Sequence, residues 1–176
     1  YVYSHLGYNL KLTDWQAAIG LAQLKKLPEF IKIRNSNFNY LFAGLKRFEK
    51  YLILPKSDKK ATPCWFGFPI TVKNNIDKIA LIRFLDNCNI GTRNLFAGNI
   101  LKQPAFLDNR YRLRIRNSKI LYSDKLTDKH FELLPNTDII MSRTFWIGVF
   151  PGLTRDNLDY IIQAFADFFN AQRKSL

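Results

Sequence analysis

The chain has 176 residues, of which 47% are hydrophobic and 15% aromatic, and this composition indicates a folded domain and excludes an intrinsically disordered chain. Its 27 Lys and Arg residues outnumber its 14 Asp and Glu residues, which gives a net charge of +13. Two cysteines are too few for a disulfide framework or a four-cysteine metal site, and no apolar run reaches the ~18 residues of a membrane span.

The beginning of the chain predicts that these residues are a piece of a longer, cytoplasmic protein. The first residue is not Met, and Tyr1 and Tyr3 already alternate like residues of a strand. No signal-peptide pattern is recognisable. Cys64 and Cys88 are expected to be free thiols, as in a reducing compartment.

The first helix is predicted to begin near Thr13. Thr13 and Gln16 have the spacing of a capping box, in which each side chain accepts from the other residue's backbone N–H. Pro28 has no backbone N–H and should kink or restart the helix. Beyond it, apolar residues recur on one helical face at Phe38, Leu41, Leu45 and Phe48. The pattern predicts a long, bent helical hairpin or a two-part helix that reaches about Lys50.

Small side chains line the first part of this helix, at Ala17, Ala18, Gly20 and Ala22. Bulky aliphatic residues would stabilise an ordinary core helix better, because they bury more apolar surface. The small residues therefore favour close approach of a second chain, another domain or a ligand. A tight packing face within the same chain is the alternative.

A strand, a helix and a second strand are predicted after a polar connector at residues 55–63. Residues 64–72 are aromatic and β-branched, as is typical of a buried strand, and Trp65 is expected in the core. Asn75 or Asp77 should cap a helix. Its apolar residues are Ile79, Ile82 and Leu85. Gly91 then precedes a strand at residues 92–96.

The stretch at residues 97–135 is the least regular. Residues 110–116 alternate basic and apolar side chains, which predicts a two-faced strand whose basic side chains lie in water. Three interpretations remain open for this run: a solvated edge strand or loop, a surface for an anionic ligand, or a contact with nucleic acid.

A third strand and a final helix complete the predicted domain. One of residues 136–138 is expected to cap a helix, and residues 145–150, with Trp146 in the core, form the strand. Thr154 should cap the last helix, whose apolar stripe is Leu158, Ile161, Ile162, Phe165, Phe168 and Phe169. Three strands with helices on one face predict a small α/β or α+β layer domain.

Four segments carry a family resemblance. They are GYNLKLTDWQAAIGLAQL (7–24), WFGFPIT (65–71), IGTRNLFAGN with KQPAF (90–106) and NTDIIMSRTFWIGVFPGLT (136–154). Together they resemble the C-terminal part of the DegT/DnrJ-type sugar-nucleotide aminotransferases, which are fold-type-I pyridoxal-phosphate enzymes. FAGN, TFWIG and PGLT favour the sugar 3-dehydrase branch, and the resemblance is weakest at residues 107–135.

The resemblance implies a small, mostly antiparallel sheet with helices packed on one face. Residues 1–50 would form a long helical segment that faces the dimer partner and the other domain. Residues 51–176 would form the small C-terminal domain. The large cofactor-binding domain would be absent from this chain.

The resemblance also implies the chemistry of the parent protein. A CDP-4-keto-6-deoxyhexose would lose its 3-hydroxyl on pyridoxamine phosphate, toward the 3,6-dideoxyhexoses of lipopolysaccharide O-antigen. In the dehydrase branch a His replaces the Schiff-base Lys, and cysteines hold a [2Fe–2S] cluster that an NADH-dependent iron–sulfur flavin reductase supplies with electrons. All these residues would lie upstream, so no catalytic residue or metal ligand is expected here. His5 and His130 are expected to be structural.

One cofactor contact of the family falls within this sequence. In the family, a Gly–aromatic–Asn turn reaches across a homodimer interface toward the other subunit's cofactor phosphate, and here the turn is Gly7, Tyr8 and Asn9. Asn9 and Lys11 share this assignment, since an amide and an ammonium both donate to phosphate oxygens. The alternative is an Asx turn that merely precedes the helix.

The substrate contacts are predicted at the end of the second strand and in the loop that follows. They are Arg93, Phe96, Asn99 and Gln103. Arg93 has the fork geometry that binds a pyrophosphate, and Phe96 can pack on a sugar or base. The alternatives are a surface ion pair for Arg93 and a core position for Phe96.

Two other functions stay open at this point. A plain aminotransferase of the same family would differ upstream, by a Lys instead of the His and by the cluster cysteines. A basic nucleic-acid-binding module would show strongly salt-dependent binding. In either enzyme, the chain by itself is predicted to be inactive and to expose an apolar surface where the larger domain packs.

Overall fold

The computed structural model of the chain describes residues 12–95, 98–104, 111–114 and 121–174. Its helices are α1 (Asp14–Leu45), α2 (Lys78–Asn87), α3 (Asp128–Phe131), α4 (Pro135–Arg143) and α5 (Arg155–Lys174). Its strands are β1 (Leu52–Ile53), β2 (Gly67–Val72), β3 (Thr92–Asn94), β4 (Arg112–Leu113), β5 (Leu121–Tyr122) and β6 (Thr144–Gly148). Short 3-10 turns lie at Lys46–Phe48, Ile100–Lys102 and Ser123–Lys125.

Helix α1 begins where the capping box predicted. The Gln16 N–H donates to Thr13 Oγ1 over 3.3 Å, and the Thr13 N–H donates to Gln16 Oε1 over 3.0 Å. The predicted hairpin and two-part helix are wrong, because one helix continues through Pro28 to Leu45. Proline removes only one intrahelical hydrogen bond, and the remaining bonds carry the helix on both sides.

The two halves of α1 have different environments. Residues 12–28 are all exposed, including Trp15 at 83% and Ile19 at 64%. In the second half, Phe38 and Leu41 are buried against the sheet. A Cβ built at Gly20 meets no atom within 4 Å. The small residues therefore do not serve as a packing face within the described part of the chain.

The main sheet is antiparallel and has the strand order β1-β2-β6-β3. Strands β2 and β6 pair from Gly67 with Gly148 to Thr71 with Thr144. Strand β3 pairs on the other side of β6, with Arg93 opposite Trp146. Strand β1 was not predicted, because two residues are too short for an alternating pattern. The predicted antiparallel sheet is confirmed.

One face of the sheet and three helices form the core. Phe68, Phe145 and Ile147 are at most 1% exposed, and Phe165 of α5 is fully buried against them. Side chains of this size each contribute about 1.5–3 kcal/mol when buried. Stacked aromatic pairs extend the core at its edges, with Phe38 and Trp65 ring centroids 4.0 Å apart. Helices α1, α2 and α5 thus cover one face, as predicted.

Besides the Thr13 cap of α1, the predicted caps are correct for α2 and α5 and wrong for α4. Asp77 caps α2 by accepting from the N–H groups of Ile79 and Ala80. Thr154 caps α5, since its Oγ1 accepts from the Asn157 N–H over 3.3 Å. In contrast, α4 begins at Pro135 with Leu134 before it and no side-chain cap. Proline suits the first helical position because its missing N–H is not needed there.

Three burial predictions need correction. Ile79 was placed on the apolar face of α2, but it is 57% exposed, and Leu81 is buried with Leu85 instead. Trp65 and Trp146 are half-buried rather than fully in the core. Trp65 packs on the core edge, and Trp146 lies on the other face of the sheet. The α5 stripe is confirmed, with Ile162 half-buried.

The basic run lies partly in a separate two-stranded ribbon. Arg112 pairs with Tyr122 and Leu113 with Leu121. Arg112 is exposed and Leu113 half-buried, as the alternation predicted. None of the helices in the described ranges combines the length and apolar character that a membrane crossing needs.

Candidate functional site

The open face of the sheet carries the first predicted site residue. Directly paired residues of antiparallel strands point to the same face. Arg93, Trp146 and Pro69 are paired in this way across three strands. They occupy the face opposite the buried Phe145 and Ile147. The Phe66 ring, 69% exposed, lies 5.1 Å from the Trp146 ring. This face presents aromatic surface and one cation.

Arg93 is exposed at the edge of this face. Among the described side chains, none forms an ion pair with it, since the two ion pairs found there are Lys32 with Glu29 and Lys102 with Asp138. The alternative of a surface ion pair for Arg93 therefore finds no support in the described ranges. Its guanidinium can present a planar set of donors to a ligand.

Residues 98–104 are described again after β3, and they begin with a glycine that the backbone geometry requires. Gly98 has φ +60°, the left-handed region that favours glycine. A Cβ built there would lie 2.7 Å from Met141 Cβ and overlap more of that side chain. Helix α4, which carries Met141, is therefore in close contact with the start of this loop.

Asn99 is a buried residue whose hydrogen bonds stabilise the loop. It is fully buried. Its Oδ1 accepts from the Leu101 N–H, and its Nδ2 donates to Asp138 Oδ1, each over 3.2 Å. The side chain thus caps the 3-10 turn and ties it to α4. Both polar atoms of the Asn99 side chain form hydrogen bonds within the chain. A direct contact between Asn99 and substrate stays a prediction.

Asp138 joins two parts of the loop. Its second oxygen accepts from Lys102 Nζ over 3.0 Å, and the same ammonium lies 5.9 Å from the centre of the Phe131 ring. The Lys102 hydrogen bond, followed by the Asn99 hydrogen bond, lowers the pKa of Asp138, and partial desolvation opposes them. The carboxylate is therefore charged at neutral pH.

Lys78 forms hydrogen bonds that connect α4 to the β3 edge of the sheet. Its Nζ donates to Asn94 Oδ1 at the end of β3 and to the Met141 carbonyl, each over 3.3 Å. Burial lowers the pKa of Lys78. Neither Lys78 nor Asp138 was predicted as part of the site. No local pattern identifies them, since their partners lie 16 to 63 residues away in sequence.

Gln103 ends the 3-10 turn and is half-buried. Its N–H donates to the Ile100 carbonyl over 3.1 Å. Arg93, Asn99 and Gln103 therefore belong to one continuous strand-and-loop segment, which α4 braces. Of the remaining predicted site residues, Tyr8, Asn9, Lys11 and Phe96 lie outside the described residues, as does His5.

The described residues offer no metal site. No group of three or more His, Cys, Asp or Glu side chains in these ranges can hold a metal ion. Cys64 is exposed, Cys88 is half-buried, and both are free thiols. His130 Nδ1 accepts from the Thr127 N–H over 3.1 Å, which is a structural role, as predicted.

Two grooves lie elsewhere on the surface. One, of about 560 Å³, runs between α1 and residues 55–65. The other, of about 500 Å³, lies beside Cys88, Phe150 and Tyr160. Arg93, Asn99 and Gln103 line neither groove. Of the three residues, Arg93 is exposed, Gln103 half-buried and Asn99 fully buried.

Comparison with known proteins relates this chain to enzymes of sugar metabolism. The profile of the DegT/DnrJ/EryC1/StrS aminotransferase family matches residues 1–127. The lipopolysaccharide biosynthesis protein RfbH of Salmonella typhimurium is 47% identical over 171 residues, which are 96% of this chain and 35% of that protein. The dTDP-4-dehydro-2,6-dideoxy-D-glucose 3-dehydratase of Saccharopolyspora spinosa is 42% identical over 170 residues, 96% of this chain and 33% of that enzyme.

A solved structure has the same fold. The E. coli GDP-4-keto-6-deoxy-D-mannose-3-dehydratase with bound hydrated PLP superposes with a TM-score of 0.73 and 25% identity, over 90% of this chain and 36% of that one. The predicted fold class, part of a fold-type-I PLP enzyme, is confirmed. The chain spans about a third of the length of the curated relatives it matches.

Proposed function

Since the chain belongs to the DegT/DnrJ/EryC1/StrS aminotransferase family, we propose that it is the C-terminal part of a sugar-nucleotide 3-dehydrase. The proposed substrate is CDP-4-keto-6-deoxyglucose, on the route to 3,6-dideoxyhexoses of lipopolysaccharide. The observation that carries the proposal is the 47% identity to a lipopolysaccharide biosynthesis protein across 96% of this chain. A 3-dehydratase at 42% identity supports the reaction type.

The exposed edge of the sheet supports a role in holding the substrate. Arg93 would bind the pyrophosphate through two parallel hydrogen bonds, which only a planar guanidinium forms. Trp146, which pairs with Arg93, is half-buried, and the exposed Phe66 ring lies 5.1 Å from the Trp146 ring. The excess of basic residues favours binding of an anionic nucleotide in general.

The proposed cofactor is pyridoxamine phosphate, which supplies the electron sink for loss of the 3-hydroxyl. In a homodimer, Tyr8, Asn9 and Lys11 of this chain would contact the phosphate of the cofactor that the other subunit binds. The described residues contain no cluster of metal ligands, so this part of the chain does not fit a [2Fe–2S] cluster. We assign the cluster ligands and the catalytic His to residues upstream in the parent protein.

The exposed first half of α1 supports a partner surface. Leu12, Trp15 and Ile19 are between 64% and 83% exposed. Apolar residues in such a continuous stretch are typical of an interface, and small residues such as Ala17 and Gly20 permit close approach. We propose that this segment faces the dimer partner and the larger domain. An NADH-dependent iron–sulfur flavin reductase would be a second, transient partner in the cytoplasm.

A second candidate function is a PLP-dependent sugar aminotransferase. The family's own description favours it. The two functions differ in the residue that stands at the Schiff-base position of the parent protein, Lys or His. They also differ in product, because an aminotransferase keeps the 3-hydroxyl and adds an amino group at C4.

The deciding experiment uses the full-length protein with CDP-4-keto-6-deoxyglucose, pyridoxamine phosphate, NADH and the reductase. A dehydrase should release water from C3 and consume NADH, which mass spectrometry and absorbance measure. A 4-amino product formed with glutamate as donor would establish the aminotransferase instead. Parallel assays with the dTDP and GDP sugars test the nucleotide, and this 176-residue chain alone should show no turnover.

A further inference from the structure

Helix α4 holds the segment that carries the predicted substrate residues at several points. Asp138 and Met141 are one helical turn apart and therefore lie on the same side of α4. Asp138 bonds to Asn99 and Lys102 of the loop. Met141 packs against Gly98 through its side chain, and its carbonyl accepts from Lys78.

Hydrogen bonds connect α4 to the loop. Helix α4 has no buried residue, so apolar packing contributes little to its position. Asn99, in contrast, is fully buried, and its bond to Asp138 is directional. Removing the hydrogen-bond partner of a buried polar group costs more free energy of folding than an average hydrogen bond contributes, because the remaining group stays desolvated. The loop conformation is therefore sensitive to the Asp138 carboxylate.

We propose that Asp138 is a positioning residue for sugar-nucleotide binding, which acts by fixing the loop at residues 98–103 beside Arg93 through Asn99 and Lys102. This inference rests on the proposed function. Asp138 does not itself contact the nucleotide. It holds the loop at residues 98–103 in one conformation through Asn99 and Lys102, so less ordering is required when the ligand binds.

The test measures the affinity of CDP-glucose for the full-length protein by calorimetry. Asp138→Asn should weaken binding about three- to tenfold, the effect of losing a hydrogen bond to a charged partner. Lys102→Gln should weaken it to a similar extent. The double variant should bind no more weakly than Asp138→Asn alone, because the interaction that Lys102→Gln removes is already lost in Asp138→Asn.

The matched control is Asp159→Asn. Asp159 also accepts a hydrogen bond between elements, from the Tyr40 hydroxyl, but it joins α1 to α5 on the helical side of the sheet. It should change affinity by less than about twofold. Equal effects at Asp138 and Asp159, or no effect at Asp138, would overturn the inference.

A second readout needs no ligand. Amide hydrogen exchange at Leu101, Lys102 and Gln103 should become faster in Asp138→Asn and stay unchanged in Asp159→Asn. Unchanged exchange at the loop would contradict the anchoring role. Failure of the wild-type protein to bind any nucleotide sugar would refute the proposed function, and with it the positioning role, even if exchange shows the anchor.

Discussion

The inner face of the sheet and its β3 edge are stabilised by different kinds of interaction. The inner face buries Phe68, Phe145 and Ile147 under helices α1, α2 and α5, with aromatic rings filling the space. The β3 edge and the loop that follows it, in contrast, are held by hydrogen bonds that Asn99 donates to Asp138 and Lys78 donates to Asn94. Apolar packing is non-directional and tolerant, whereas hydrogen bonds fix particular atoms. The comparison places the stability of the sheet in apolar packing and the geometry of the loop in hydrogen bonds at the β3 edge.

The largest effect is expected at the inner face. Phe165→Ala removes a fully buried ring and should lower the free energy of unfolding by about 3–5 kcal/mol. Phe66→Ala is the control, since Phe66 is 69% exposed on the open side, and it should cost less than about 1 kcal/mol. Urea titration measures both. Comparable losses at the two positions would remove the distinction between the faces.

A binding effect without a stability effect is expected at Arg93. Arg93→Lys keeps the charge but loses the bidentate geometry, so affinity for CDP-glucose should fall about tenfold, and further in Arg93→Ala. Thermal unfolding should be unchanged, because the side chain is exposed. Equal affinity in Arg93→Lys and wild type would show that the guanidinium does not contact the pyrophosphate.

A backbone effect is expected where the loop begins. Gly98→Ala introduces a Cβ at φ +60° against Met141 and should cost about 1–3 kcal/mol of stability. Gly91→Ala is the matched control, because a Cβ there meets no atom within 4 Å. Differential scanning calorimetry compares the two variants. A Gly98 variant as stable as the Gly91 variant would mean that α4 does not press on the loop.

The smallest effect is a pH dependence at the β3 edge. The pKa of Asp138 is lowered in the folded state, mainly by Lys102. Its stabilising contribution is therefore complete above the unfolded carboxyl pKa, about 3.9, and is lost as pH falls through the lower folded value. The stability difference between wild type and Asp138→Asn should shrink in acid. A constant difference from neutral pH to below about pH 3 would contradict this.

Local patterns predicted the elements whose residues repeat or cap within a few positions. The capping box at Thr13, the cap at Thr154 and the apolar stripe of α5 all depend on residues within one or two turns. The continuation of α1 through Pro28 was not predicted, because the sequence alone does not show whether a helix kinks, restarts or continues where a proline removes one hydrogen bond. Ile79 and Leu81 are two residues apart and therefore about 200° apart around the helix, so the choice of Ile79 placed that part of the apolar face on the wrong side of α2.

The candidate site was only partly predictable. Arg93 followed from strand position and side-chain chemistry, but the burial of Asn99 depends on Asp138, 39 residues further along the chain. Such a pair forms only when α4 packs beside the loop. Lys78 of α2 donates a hydrogen bond to the same edge, and no spacing in the sequence predicts this contact. Hydrogen bonds between residues far apart in the sequence are therefore the part of the site that could not be predicted from the sequence.

The most direct test of the central claim is a crystal structure of the full-length protein with CDP-glucose. The account predicts the pyrophosphate within hydrogen-bonding distance of the Arg93 guanidinium, about 3 Å, with the loop at residues 98–103 in the conformation described above. A nucleotide bound elsewhere, with Arg93 in open solvent, would contradict it.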